Sequence, residues 1–132
     1  NCSQSVFTVF ATDFGISEDD SLKIACAFGG GMGRQQHICG AVTGALMAIG
    51  LKYGKALHDE ESKKAETYRI TVEFFEKFKK LNGTISCKEL LHGLDMNHPD
   101  EYARIKELGL FDTLCTKYVE DAVKITEQII HD

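Results

Sequence analysis

Five cysteines carry most of the reactive chemistry in this sequence: Cys2, Cys26, Cys39, Cys87 and Cys115. Helical patterning places four of them where helices begin. Cys2 opens the first helix, and Cys39 falls in the first turn after a glycine loop. Cys87 directly follows Ser86, and Cys115 lies three residues after Asp112. Free backbone N–H groups and the positive end of the helix dipole favour a thiolate at such positions, so lowered thiol pKa values and better nucleophiles or metal ligands are expected. Cys26, between Ala25 and Ala27 inside a helix, has no such activation and is read as a packing residue. There is no Cys-x-x-Cys, which argues against a thioredoxin-type pair or a zinc knuckle, and no Cys-x-x-Cys-His for covalent haem. Four cysteines admit three disulfide connectivities, and their spacing does not choose among them.

Glycines surround the second of these cysteines. In Cys39-Gly40-Ala41-Val42-Thr43-Gly44, the absence of side chains at Gly40 and Gly44 lets a cofactor or another backbone approach beside a sulfur. A groove for close helix packing explains the same spacing equally well. Just upstream, Gly29-Gly30-Gly31-Met32-Gly33-Arg34 cannot be regular helix at reasonable cost. It fits neither Gly-x-Gly-x-x-Gly nor a P-loop, and no strand precedes it, so nucleotide binding is not expected. Its expected use is to bring backbone, at Gly31 and Gly33, close to the Cys39 sulfur, offering free N–H groups to an anionic ligand. Arg34 could add positive charge there, and His37 or His92 could complete a mixed ligand set, although all three have an exposed surface role as the default. No serine–histidine–carboxylate set is visible.

The elements that must position these residues read as all-α: a compact bundle of about four main helices plus short ones, forming a single domain over residues 1–132. Cys2, Val6 and Phe10 share one helical face. Ser17 and the acidic turn after it cap a second helix reaching residue 28. A third helix is expected over residues 38–53, with Cys39, Val42, Leu46, Ile49 and Tyr53 on one stripe. A fourth spans about 59–81, with Tyr68, Val72, Phe75, Phe78 and Leu81 on its inner side. Ser86 and Glu89 form a capping box, Pro99 suits a helix start, and Asp112 is expected to cap a last helix whose inner stripe is Leu114, Tyr118, Ala122, Ile125 and Ile129.

Composition narrows the partners. With 15 basic and 20 acidic residues the net charge is −5, which argues against nucleic acid and anionic lipid. No apolar run approaches the ~20 residues of a membrane span. The chain opens at Asn1 without methionine, so a truncated N-terminus is expected. A cytoplasmic location is the expectation, and an exported form stays open.

The cysteine motif and its surroundings resemble the redox-active family named for its pattern, C_GCAxxG_C_C. The likeness runs through Asn1-Cys2-Ser3-Gln4-Ser5-Val6, Gly29-Gly30-Gly31-Met32-Gly33, Cys39-Gly40-Ala41-Val42-Thr43-Gly44-Ala45, Gly50-Leu51-Lys52-Tyr53-Gly54 and Ile85-Ser86-Cys87. Cys39 is preceded by Ile38, where the family name has a Gly-Cys pair. The resemblance makes Cys2, Cys39, Cys87 and Cys115 the characteristic cysteines, leaves Cys26 as an extra, and implies redox activity, an iron–sulfur centre or other metal, and association with oxidoreductases or transporters. On this basis the four thiols are expected to converge on one site. There they would ligate a cluster or metal, or cycle between dithiol and disulfide, with Gly31, Gly33, Gly40 and Gly44 against the cofactor. An oxidoreductase or an electron-transfer component, working with a redox partner protein or a small oxidant or reductant, are the roles left open, and a homodimer is compatible with them. Two readings compete: a structural zinc domain, and a non-catalytic accessory module of an oxidoreductase or transporter system whose cysteines are structural.

Overall fold

Gly40, Ala41, Gly44, Ala45 and Ala48 leave one helix almost without bulk on two of its faces, and the fold is built around it. In the computed structural model, which describes residues 1–131, the helices are α1 (Cys2–Ala11), α2 (Glu18–Cys26), α3 (Gly40–Tyr53), α4 (Glu61–Asn82), α5 (Cys87–Leu90), α6 (Pro99–Glu107) and α7 (Thr116–His131). The central helix is α3, which packs against α1, α4 and α7. The α1–α3 contact is closest because of glycine: a Cβ at Gly44 would lie 2.8 Å from the Ser3 carbonyl oxygen and 3.1 Å from Val6 Cβ. Among the described residues, β-structure is limited to one antiparallel bridge between Ile38 and Ser86. The fold is all-α.

Local chemistry explains the helix ends. Asn1 caps α1 by accepting from the Gln4 amide at 2.9 Å. Ser17 accepts from the Asp20 amide at 3.1 Å, with Glu18, Asp19 and Asp20 on the positive end of α2. The main core gathers Val6 and Phe10 of α1, Val42 and Ile49 of α3, and aromatic and aliphatic residues of α4 and α7. Phe74 and Phe78 are fully buried and stack at 5.9 Å, each contributing about 1.5–3 kcal/mol through burial.

Three sequence expectations are corrected. The inner side of α4 is Ile70, Phe74 and Phe78, whereas Tyr68, Val72 and Leu81 are exposed. Two apolar stripes with helical spacing coexist on α4, and contact with α3 and α7 selects one of them. The third helix starts at Gly40, because Ile38 is drawn into the bridge with Ser86 and Cys39 becomes the cap residue. Asp112 caps nothing: residues Phe111–Cys115 form a single wide π turn that runs directly into α7, so Cys115 does not stand at an α-helix N-terminus.

Candidate functional site

The Ile38–Ser86 bridge fixes two of the four cysteines at once. The Cys39 amide donates to the Ile85 carbonyl at 2.8 Å, and the Cys87 amide donates to the His37 carbonyl at 2.7 Å. Each cysteine then begins or caps a helix, α5 being opened by the Ser86 hydroxyl, which accepts from the Glu89 amide at 3.3 Å. Cys2 is brought in by the α1–α3 contact, where a Cβ on Gly40 would meet Cys2 Cβ at 3.4 Å. Cys115 arrives on the π turn, and the Tyr118 hydroxyl, donating to the Leu90 carbonyl at 2.8 Å, ties α7 to α5.

These elements enclose a cavity of about 600 Å³, within the size range of small-molecule sites. All of Cys2, Cys39, Cys87 and Cys115 line it. Gly31, Gly33 and Gly40 line it as expected, and Arg34 stands at it. Leu90, Leu91, Met96, Phe111 and Tyr118 supply apolar wall. Nothing in the spacing of Leu91 or Met96 marked them for this place.

Other expected residues lie elsewhere. Gly44 does not line the cavity; it serves the α1–α3 contact, so the helix-packing reading holds there. His37 and His92 are exposed and outside the cavity lining. Cys26, read as a packing residue, is exposed and lines the cavity. The spacing of Cys26 from the other cysteines gave no hint of this, because only the folded chain returns it to the cavity.

Burial at Cys39 and Cys87, and the hydrogen bond between Cys2 and Cys115, set the thiol acidities. Cys39 and Cys87 are buried, and desolvation pushes their pKa values up to about 12 and about 11. Cys2 goes the other way, to about 7, because the Cys115 thiol hydrogen-bonds to it and outweighs burial. That shared proton, followed by burial, raises Cys115 far above the ordinary thiol value. The expectation of four activated thiols is therefore corrected to one thiolate-prone sulfur, Cys2, held by a protonated neighbour. All five cysteines are free thiols.

The glycine loop is backbone wound tightly on itself. Residues Gly30, Gly31, Met32, Gly33 and Arg34 all have positive φ, and the non-glycine members cost about 1–2 kcal/mol each in this conformation. Gly31 is required twice over, since a Cβ there would lie 2.6 Å from Gln36 Cα and 2.8 Å from Cys87 Cβ. The amides of Met32, Gly33, Arg34, Gln36 and His37 donate to carbonyls of residues 27–31, so the expected free donors are mostly committed inside the loop. Buried Gln36 anchors the loop from below, donating to the Leu94 carbonyl and accepting from the Met96 amide, both at 2.8 Å.

Four cysteines from separate segments around one glycine-rich cavity correspond to the pattern of a known family. Its profile, described as "Putative redox-active protein (C_GCAxxG_C_C)", matches residues 1–129. The chain belongs to this family. An uncharacterized protein of Archaeoglobus fulgidus is 28% identical over 139 residues, covering 100% of this chain and 85% of that relative. No solved structure matches. Among the described residues, no group of three or more histidine, cysteine, aspartate or glutamate side chains is arranged to hold a single metal ion. Also among the described residues, no helix is long and apolar enough to cross a membrane.

Proposed function

We infer that the cavity is a redox centre in which Cys2, Cys39, Cys87 and Cys115 are the ligands of an iron–sulfur cluster. The observation that carries this reading is the convergence of four thiols, from four separate segments, on one cavity of about 600 Å³. Four cysteine thiolates are the common ligand set for such clusters. A four-iron cluster takes one thiolate per iron, so its ligands surround a body instead of meeting at a point, and the poor fit to a single ion does not count against it. When bound, a cluster supplies one-electron transfer.

The chain's own residues divide the remaining work. Cys39 and Cys87 are held by backbone hydrogen bonds, while Leu90, Leu91 and Phe111 keep water from one side. Gly31 and Gly40 keep the backbone close to the sulfurs without side chains in the way. Ligation must displace protons from three thiols whose acidity is weakened, so loading should be favoured by rising pH. The electron partner is a redox protein or a small carrier that reaches the Arg34 edge of the cavity.

A second reading, dithiol–disulfide cycling, is favoured by the hydrogen-bonded Cys2 and Cys115 pair. The Cys2 thiolate attacks an incoming disulfide, forming a mixed disulfide and releasing one thiolate, which takes a proton. The Cys115 sulfur, losing its proton to solvent, then attacks Cys2 and releases the second thiol. The balance is one protein dithiol plus one disulfide giving one protein disulfide plus two thiols.

Anaerobic reconstitution of the reduced protein with ferrous iron and sulfide separates the readings. The cluster reading expects a brown protein with stoichiometric iron and acid-labile sulfide. A colourless, iron-free product overturns it. A loss of two hydrogens on mild oxidation, abolished by Cys2→Ser or Cys115→Ser, would then establish the dithiol form.

A further inference from the structure

Helix α4 carries an apolar seam that the fold leaves bare at Ala65, Tyr68 and Val72, while Phe75 at its edge also packs against the main core. Tyr68 is 62% exposed and Val72 52%, with Ala65 exposed and Phe75 half-buried beside them. Residues 61, 65, 68, 72, 75 and 79 recur at alternating spacings of four and three, which is the spacing of a coiled-coil seam. Except at Phe75, this seam lies away from the side of α4 that buries Ile70, Phe74 and Phe78. None of its residues lines the thiol cavity.

We propose that this seam is a dimer interface, in which α4 packs antiparallel against α4 of a second copy of the chain. Its ends choose both the partner and the direction. The seam begins with Glu61 and ends with Lys79, both exposed. In an antiparallel two-fold pair centred on residue 70, Glu61 meets the second copy's Lys79, and symmetry repeats the contact at the other end. Inside the seam, small Ala65 faces the large ring of Phe75, and Tyr68 faces Val72. A parallel pair would set Glu61 against Glu61, Lys79 against Lys79, and Phe75 against Phe75. Charge and volume therefore both favour the antiparallel arrangement.

The competing intramolecular contacts are weak. Lys55 approaches Glu61 at 3.6 Å, and Lys64 lies over the Tyr68 ring at 5.7 Å. Among the described residues, Lys79 has no carboxylate within 4.0 Å, so its charge is available to a second copy. A single helix pair sits at the low end of interface sizes, and the dimer is expected to dissociate on dilution.

Sedimentation equilibrium of the reduced chain over a range of concentrations tests this, with circular dichroism confirming that each variant remains helical. Wild type should show a concentration-dependent dimer, and Val72→Glu or Tyr68→Ser should be monomeric. Lys79→Glu should weaken the dimer at least about tenfold, because two attractive contacts become two like-charge ones. The double variant Glu61→Lys with Lys79→Glu should recover most of the loss. A wild type monomeric at every concentration overturns the proposal, as would be found if another protein occupied this face. A dimer indifferent to both Val72→Glu and Tyr68→Ser overturns it as well. A double variant as weak as the single one overturns the antiparallel register. Cluster loading should be the same in all of these variants, so failure here is separate from failure at the cavity.

Discussion

Ile38 stands opposite Ser86 in an antiparallel bridge whose two hydrogen bonds come from the amides of Cys39 and Cys87, the residues next to them. Two cysteines far apart in sequence thereby share one rigid backbone contact. Cys2 and Cys115 are placed by the α1–α3 contact and by the π turn before α7, and there their thiols interact.

The Cys39 and Cys87 side of the cavity depends on the start of α5. Ser86→Ala removes the hydroxyl that accepts from the Glu89 amide, at a cost of about 1 kcal/mol. Thermal unfolding should show a lowered Tm. Alkylation of Cys87 in the folded protein, followed by peptide mass analysis, should be faster than in wild type.

Thiol substitutions should sort by place. Cys39→Ser and Cys115→Ser are expected to abolish stable iron and sulfide loading. Cys26→Ser, at an exposed thiol on the cavity, should retain it. Metal and sulfide analysis after reconstitution reads the difference, and equal losses in all three variants would contradict this division.

Acidity should set reactivity. In the reduced apo-protein, alkylation of Cys2 should rise with pH around 7, and Cys115→Ala should move that rise upward by removing the hydrogen bond that holds the thiolate. The linked stability follows the same pKa values. Cys2 is more acidic folded than unfolded, so its contribution is present above about 9 and is lost as pH falls through about 7. Cys39 and Cys87 are less acidic folded, so their contribution is present below about 9 and is lost as pH rises toward 11 and 12. Denaturant midpoints under reductant should therefore rise from pH 7 to about 9 and fall beyond it.

The α1–α3 contact tolerates no added bulk. Gly44→Ala would force a Cβ against the Ser3 carbonyl oxygen at 2.8 Å and should destabilise by about 1–3 kcal/mol. Gly44→Leu should cost more. Because Ser3 adjoins Cys2, both variants should also reduce loading of the cavity, and an unchanged Tm would refute the close-packing account.

Much of this molecule was legible in one dimension. The α1 face of Val6 and Phe10, the Ser17 and Ser86 caps, Pro99 at a helix start and the inner stripe of α7 all follow local rules, since caps and periodicity act within a few residues. On α4 the same rules misled. Tyr68 and Val72 have the spacing of a buried stripe, yet Ile70 and Phe74 have it too, and periodicity does not say which side a neighbour will cover. Asp112 looked like a cap because its type fits one; the backbone instead took a wider turn.

The sequence alone determined the helical class, the positions of most helix ends and the family to which the cysteine pattern belongs, because each is written in local spacing and residue type. Only tertiary structure decided that four thiols meet in one cavity, that Gly31 serves it while Gly44 serves packing, and that Cys2 rather than Cys39 is the acidic sulfur. The reason is physical: acidity and convergence depend on which groups exclude water and which protons lie nearby, and these neighbours come from segments far apart along the chain.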